Sequence, residues 1–128
     1  MFIEVQTPSL DKVYFGVQND WVITHHRLFN VSPDQAPTAT VIGGDVSIWH
    51  LCFTEDLLQV VNKSKGILLD VGWYPDTDPN GRYKLVVIRI VSPNLNDRNS
   101  YDWNNPTQYL ETRSLTELLD VINEILVR

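Results

Sequence analysis

The chain has 128 residues, with 16 Asp and Glu against 10 Lys and Arg, for a net charge of −6. That length suits one core, so residues 1–128 read as a single domain, and 43% hydrophobic with 20% charged residues excludes a disordered chain. The acidic excess excludes a generic nucleic-acid binder, which needs Lys and Arg to displace counterions, and the single Cys52 excludes an internal disulfide.

The opening Met1-Phe2-Ile3-Glu4-Val5-Gln6 has no basic stretch, and no apolar run approaches the roughly 18 residues of a membrane helix. A cytoplasmic protein with no membrane partner is expected. Val13 to Val17 reads as a short strand before turn chemistry at Asn19-Asp20, whereas Trp21 to Phe29 fits no single period. Pro33, Pro37 and Gly43-Gly44 make 32–44 irregular, and Val46 to Phe53 reads as another strand. Thr54 is placed to cap a helix, with Glu55 and Asp56 at its positive end, Lys63 and Lys65 at its negative end and Gly66 just beyond. Leu57, Leu58 and Val61 would form its buried stripe.

Ile67 to Tyr74 alternates as a strand, with Ile67, Leu69, Val71 and Trp73 on one face, and Arg82 to Val91 returns as its hairpin partner. The second strand is β-branched on both faces, which predicts burial on both sides of its centre. Thr107 to Thr112 reads as an edge strand. Ser114-Leu115-Thr116-Glu117 is a capping box for a helix whose Leu115, Leu118, Leu119, Ile122, Ile125 and Leu126 face inward. The sum is an α+β fold, a mostly antiparallel sheet with about two helices packed on one face.

Chemistry is sparse. Asp76-Thr77-Asp78-Pro79-Asn80-Gly81 matches the first half of an EF-hand loop, but the bidentate Glu due at position 12 is Val87, so a hairpin turn is the better reading. His25-His26 and His50-Leu51-Cys52 lack the spacing of a zinc site. On a strand, His50 and Cys52 would share a face as a thiol–imidazole pair, against the simpler reading of Cys52 as a small buried hydrophobe. Gly43-Gly44 has neither the pattern nor the Lys of a phosphate loop. No catalytic residue, metal or cofactor is therefore assigned. Asp70 interrupts an apolar strand on the face of Leu68, Gly72 and Tyr74, which marks an open sheet face or a polar site for a partner. Trp73 and Tyr74 flank the acidic turn, and Asp102 and Trp103 lie in an Asn-rich loop. Aromatics beside acids are frequent anchors of protein contacts, although Trp103 as a plug folded over the sheet is an equal reading.

The run Asp70-Val71-Gly72-Trp73-Tyr74-Pro75-Asp76-Thr77-Asp78-Pro79-Asn80-Gly81-Arg82-Tyr83-Lys84-Leu85 resembles small bacterial immunity proteins of contact-dependent growth inhibition and related polymorphic toxin systems. Asp102-Trp103-Asn104-Asn105-Pro106 and Thr112-Arg113-Ser114-Leu115 continue the resemblance, which begins near residue 54; the first 50 residues do not contribute. It implies a non-enzymatic inhibitor that binds a cognate toxin domain, commonly a nuclease with a basic cleft, and that does not itself touch nucleic acid. An acidic chain complements such a cleft. The expected contacts are Asp70, Trp73, Tyr74, Asp76, Asp78, Asp102 and Trp103. Two other readings compete: a small metal- or thiol-dependent enzyme using Asp70, Asp76, Asp78 or His50/Cys52, and a homo-oligomer whose aromatic surface is its own interface.

Overall fold

The computed structural model describes residues 11–18, 20–36 and 47–128. Five strands form one antiparallel sheet in sequential order: β1 Trp21–His26, β2 Leu58–Asn62, β3 Ile67–Tyr74, β4 Arg82–Arg89 and β5 Gln108–Thr112. Two α-helices accompany it, α1 Ile48–Cys52 and α2 Leu115–Leu126, giving the α+β class. Among the described residues, no helix is long and apolar enough to cross a membrane.

Period-2 alternation sorts the sheet into two faces. Leu58 and Val60 of β2, Leu69, Val71 and Trp73 of β3, and Tyr83, Leu85 and Val87 of β4 point to the first face. Both helices pack there, through Ile48 and Cys52 of α1 and Leu115, Leu118, Ile122, Ile125 and Leu126 of α2. The second face carries a smaller cluster, Val61, Leu68 and Ile88, over which Leu95, Tyr101 and Trp103 from the 92–106 loop are laid. Burial on both faces of β4 follows from these two clusters. The strand is sandwiched at its middle, between helix α2 on one side and the loop on the other.

The hairpin of β3 and β4, the edge position of β5 and the span of α2 agree with the sequence reading. The capping box forms by half: Ser114 Oγ accepts from Glu117 N at 3.1 Å, while Ser114 N donates to Thr112 Oγ1 at 3.0 Å instead of to Glu117.

Three local readings are corrected. The expected helix from Thr54 is the strand β2, inserted between β1 and β3 with Val60 opposite Ile23 and Leu69. Adjacent Val60 and Val61 suit a pleated surface buried on both sides, and pairing along two edges outweighs the cap signal. Gly66 still adopts the left-handed backbone (φ 66°), but it closes the β2–β3 turn, where Asn62 Oδ1 accepts from Lys65 N at 3.0 Å. Conversely, the strand expected over 46–53 is the short helix α1. Ser47 Oγ accepts from Trp49 N at 3.1 Å, and Trp49 stacks one turn on against Phe53 at 4.6 Å. Val13 to Val17 forms no strand; Val13 N bonds to Leu28 O, and Phe15 is buried with its ring 5.4 Å from that of His26. The Gly43-Gly44 pair and the amino-terminal sextet lie outside the described residues.

Candidate functional site: an acidic groove on the open sheet face

Among the described residues, the cover on the second sheet face lies at the end of Val61, Leu68 and Ile88. Toward the other end it opens into a groove of about 690 Å³. Register builds its floor. His25, Gln59, Asp70, Val86 and Tyr109 are paired in succession across β1 to β5, so one cross-strand row spans the sheet with Asp70 on its central strand. Gly72, Lys84 and Glu111 form the next row. The walls come from the 54–56 bend, which supplies Glu55 and Asp56, and from the loop, which supplies Leu95, Arg98 and Trp103.

Gly72 makes this geometry possible. A Cβ there would lie 2.0 Å from Glu55 O and 2.8 Å from the Tyr74 ring, so any other residue would push the acidic bend off the sheet. Asp76 holds the bend from its far side, its Oδ1 accepting from Glu55 N at 2.8 Å. His25 Nε2 donates to Asp56 O at 2.9 Å and completes the clamp.

Electrostatically the floor is dominated by Asp70. Burial raises its carboxyl from 3.8 to about 6; Asp56 adds to the rise, while the Gln59 hydrogen bond, His25 and Arg98 oppose it. Gln59 Nε2 donates to Asp70 Oδ1 at 3.0 Å. Among the described residues that is the hydrogen bond the carboxylate makes, and no cation reaches it within ion-pairing distance. The two cations of the groove are engaged elsewhere. Lys84 pairs with Glu111 at 3.4 Å and lies 5.4 Å from the Tyr74 ring, and Arg98 sits 5.5 Å over the Trp103 ring. Tyr74 is pushed up first by burial and then by Asp70, Glu55 and Asp56, while Arg98 opposes the rise.

Of the residues expected to contact a partner, the fold brings Asp70, Tyr74 and Trp103 together in this groove. Trp103 plugs and lines at once: its Nε1 donates to Arg98 O at 3.0 Å while its ring packs on Tyr101 at 5.8 Å. Trp73 must be withdrawn as a surface anchor. It is 0% exposed on the opposite face, edge-on to Phe53 and Tyr83 at 4.8 and 4.9 Å, with Nε1 donating to Asp78 O. Asp76 and Asp78 lie in the β3–β4 loop and accept backbone N–H groups, from Glu55 and Asn80 respectively. Asp102 accepts from the Asn105 amide at 3.1 Å within its own loop.

The sequence reading did not assign Glu55, Asp56, Gln59, Lys84, Arg98 and Tyr109 to a site. Read as a helix, 54–66 makes the first two dipole partners and hides the third. Strand alternation through Leu58-Gln59-Val60 would have put Gln59 on the face of Asp70.

The thiol–imidazole pairing is corrected as well. On α1, residues two apart point to different sides, so His50 is exposed and Cys52 is 3% exposed, with burial pushing its thiol to about 11. His25 and His26 do face apart. His26 Nδ1 accepts from Leu28 N, so Nε2 carries the proton donated to Val13 O. Among the described residues no group of three His, Cys, Asp or Glu side chains is arranged to hold a metal ion. No protein-family model, no curated protein and no solved structure matches the chain.

Proposed function

We propose that this chain is a non-enzymatic immunity protein that binds and neutralises a cognate toxin domain of a contact-dependent growth inhibition effector, with a basic, nuclease-type toxin as partner. The observation that supports this best is the groove, an open sheet face combining Glu55, Asp56 and Asp70 with Tyr74, Trp103 and Tyr109. Acids that steer a basic partner and aromatics that anchor it are thereby placed on one surface. Binding and occlusion need no reacting group, and the chain's net charge of −6 favours encounter with a basic cleft.

The test is co-expression with a candidate toxin domain encoded by a gene immediately upstream. Restored growth and a complex that survives size-exclusion chromatography are expected. Absence of both protection and complex overturns the reading.

A further inference from the structure

We infer that the floor of the groove, at Asp70 and Gln59, is a receptor for a single arginine side chain presented by the partner. The inference rests on reading the groove as the partner face and names what that face grips. Asp70 sits in the middle of the central strand, half-buried, with one carboxylate oxygen held by Gln59 Nε2 at 3.0 Å. A carboxylate withdrawn from water and given no cation is costly unless a cation arrives from outside. Among the described residues, the titratable and charged groups facing it are His25 on β1, Glu55 and Asp56 in the bend, Lys84 on β4 and Arg98 in the loop. Lys84 and Arg98 are drawn aside, to Glu111 and to the Trp103 ring.

The chemistry favours guanidinium over ammonium. Gln59 and Asp70 are paired on neighbouring strands, and besides the hydrogen bond between them each side chain keeps an acceptor oxygen; two acceptors can engage the planar fork of an arginine, whereas a lysine offers a point charge. The walls offer aromatic rings that take cations, Tyr74 with Lys84 at 5.4 Å and Trp103 with Arg98 at 5.5 Å, and an incoming guanidinium would share or displace those contacts. Glu55 and Asp56 lie above the floor and attract such a side chain without being buried by it.

The experiment uses the full chain, isotope-labelled, titrated with N-acetyl-arginine amide and observed by NMR. N-acetyl-lysine amide and the neutral isostere N-acetyl-citrulline amide serve as comparisons. Arginine amide is expected to move the Gln59 side-chain amide, the Asp70 backbone and the Trp103 indole while leaving the Trp73 indole, on the opposite face, in place. Asp70→Asn keeps the acceptor for Gln59 and is expected to weaken binding at least about tenfold at pH 7.5. Wild-type affinity should fall about tenfold between pH 7.5 and 5 as the carboxyl is protonated. The Asp70→Asn profile over the same range, expected to be nearly flat, isolates the contribution of this carboxyl from that of the other groups facing the floor. Equal binding of citrulline amide, unchanged affinity in Asp70→Asn, or shifts confined to other surfaces overturn the inference. An unimpaired toxin complex with Asp70→Asn overturns it while leaving the proposed function standing. Arginine binding at this floor without any toxin complex does the reverse.

Discussion

Asp70 occupies a strand position where an apolar residue would cost nothing, and its environment raises the carboxyl from 3.8 to about 6. The sign of the consequence is fixed by linkage. Between about pH 4 and 6 the unfolded chain has released this proton and the folded chain still holds it, so stability falls as pH rises through that window. The loss is at most about 2 kcal/mol once partial exposure is allowed for. Asp70→Asn is expected to be more stable than wild type at pH 7 by up to that amount and equal to it near pH 3.5, as measured by urea denaturation at several pH values. A variant that loses stability at pH 7 would show that the ionised carboxylate is stabilised in a way its one hydrogen bond does not suggest. The residue is thus suited to recognition at some expense of stability, and the sequence marked it by a single observation, an acid on an apolar strand. Asp76 and Asp78 carried a louder signal and do a quieter job, because turn acids are bound first by the backbone N–H groups nearest to them.

At the scale of elements, the groove depends on how the 54–56 bend meets β3. Leu57 N bonds to Val71 O and Trp73 N to Thr54 O, so the bend runs on into β2 against the edge of β3, directly over Gly72. Gly72→Ala would force a backbone carbonyl away from a contact of 2.0 Å. We expect a loss of about 3 kcal/mol, read from the shift in the urea midpoint, and a groove wall displaced even in the molecules that fold. An alanine variant as stable as wild type would mean that the bend moves freely and does not define the wall. The same segment explains why a strand reads as a helix. A capping Thr, two acids, an apolar stretch, two lysines and a Gly satisfy helix rules locally, and every one of those residues also satisfies a bend, a strand and a turn. What separates the two outcomes is pairing with β1 and β3, which no local window contains. The short α1 shows the converse. Its Ser cap and its Ile48/Cys52 and Trp49/Phe53 spacings of four were present in the sequence, but beside Val46 they also fit a strand.

For the whole molecule, charge is distributed unevenly over the sheet. Among the described residues, the first face is closed by both helices, whereas the second is left open where Glu55, Asp56 and Asp70 line one groove. Association with a basic partner should therefore be fast at low salt and slow steeply with ionic strength. Replacing Glu55 and Asp56 together by Gln and Asn should lower the association rate about tenfold at low salt, flatten its salt dependence and leave the dissociation rate almost unchanged. Stopped-flow mixing with the toxin domain proposed as partner reads both rates. A double variant that associates as fast as wild type would place the steering charges elsewhere on the surface.

Length, composition and periodicity by themselves determined the α+β class, the β3–β4 hairpin, the amphipathic carboxy-terminal helix and the face on which Asp70 lies. These are local properties, set by alternation, spacing and caps within a dozen residues. Only the tertiary structure decided that 58–62 is a strand, that Trp73 belongs to the core, and that Glu55, Asp56, Gln59 and Trp103 meet around Asp70. Those facts depend on register across five strands and on which face the helices cover, and both are settled by pairing and burial between segments far apart in the chain.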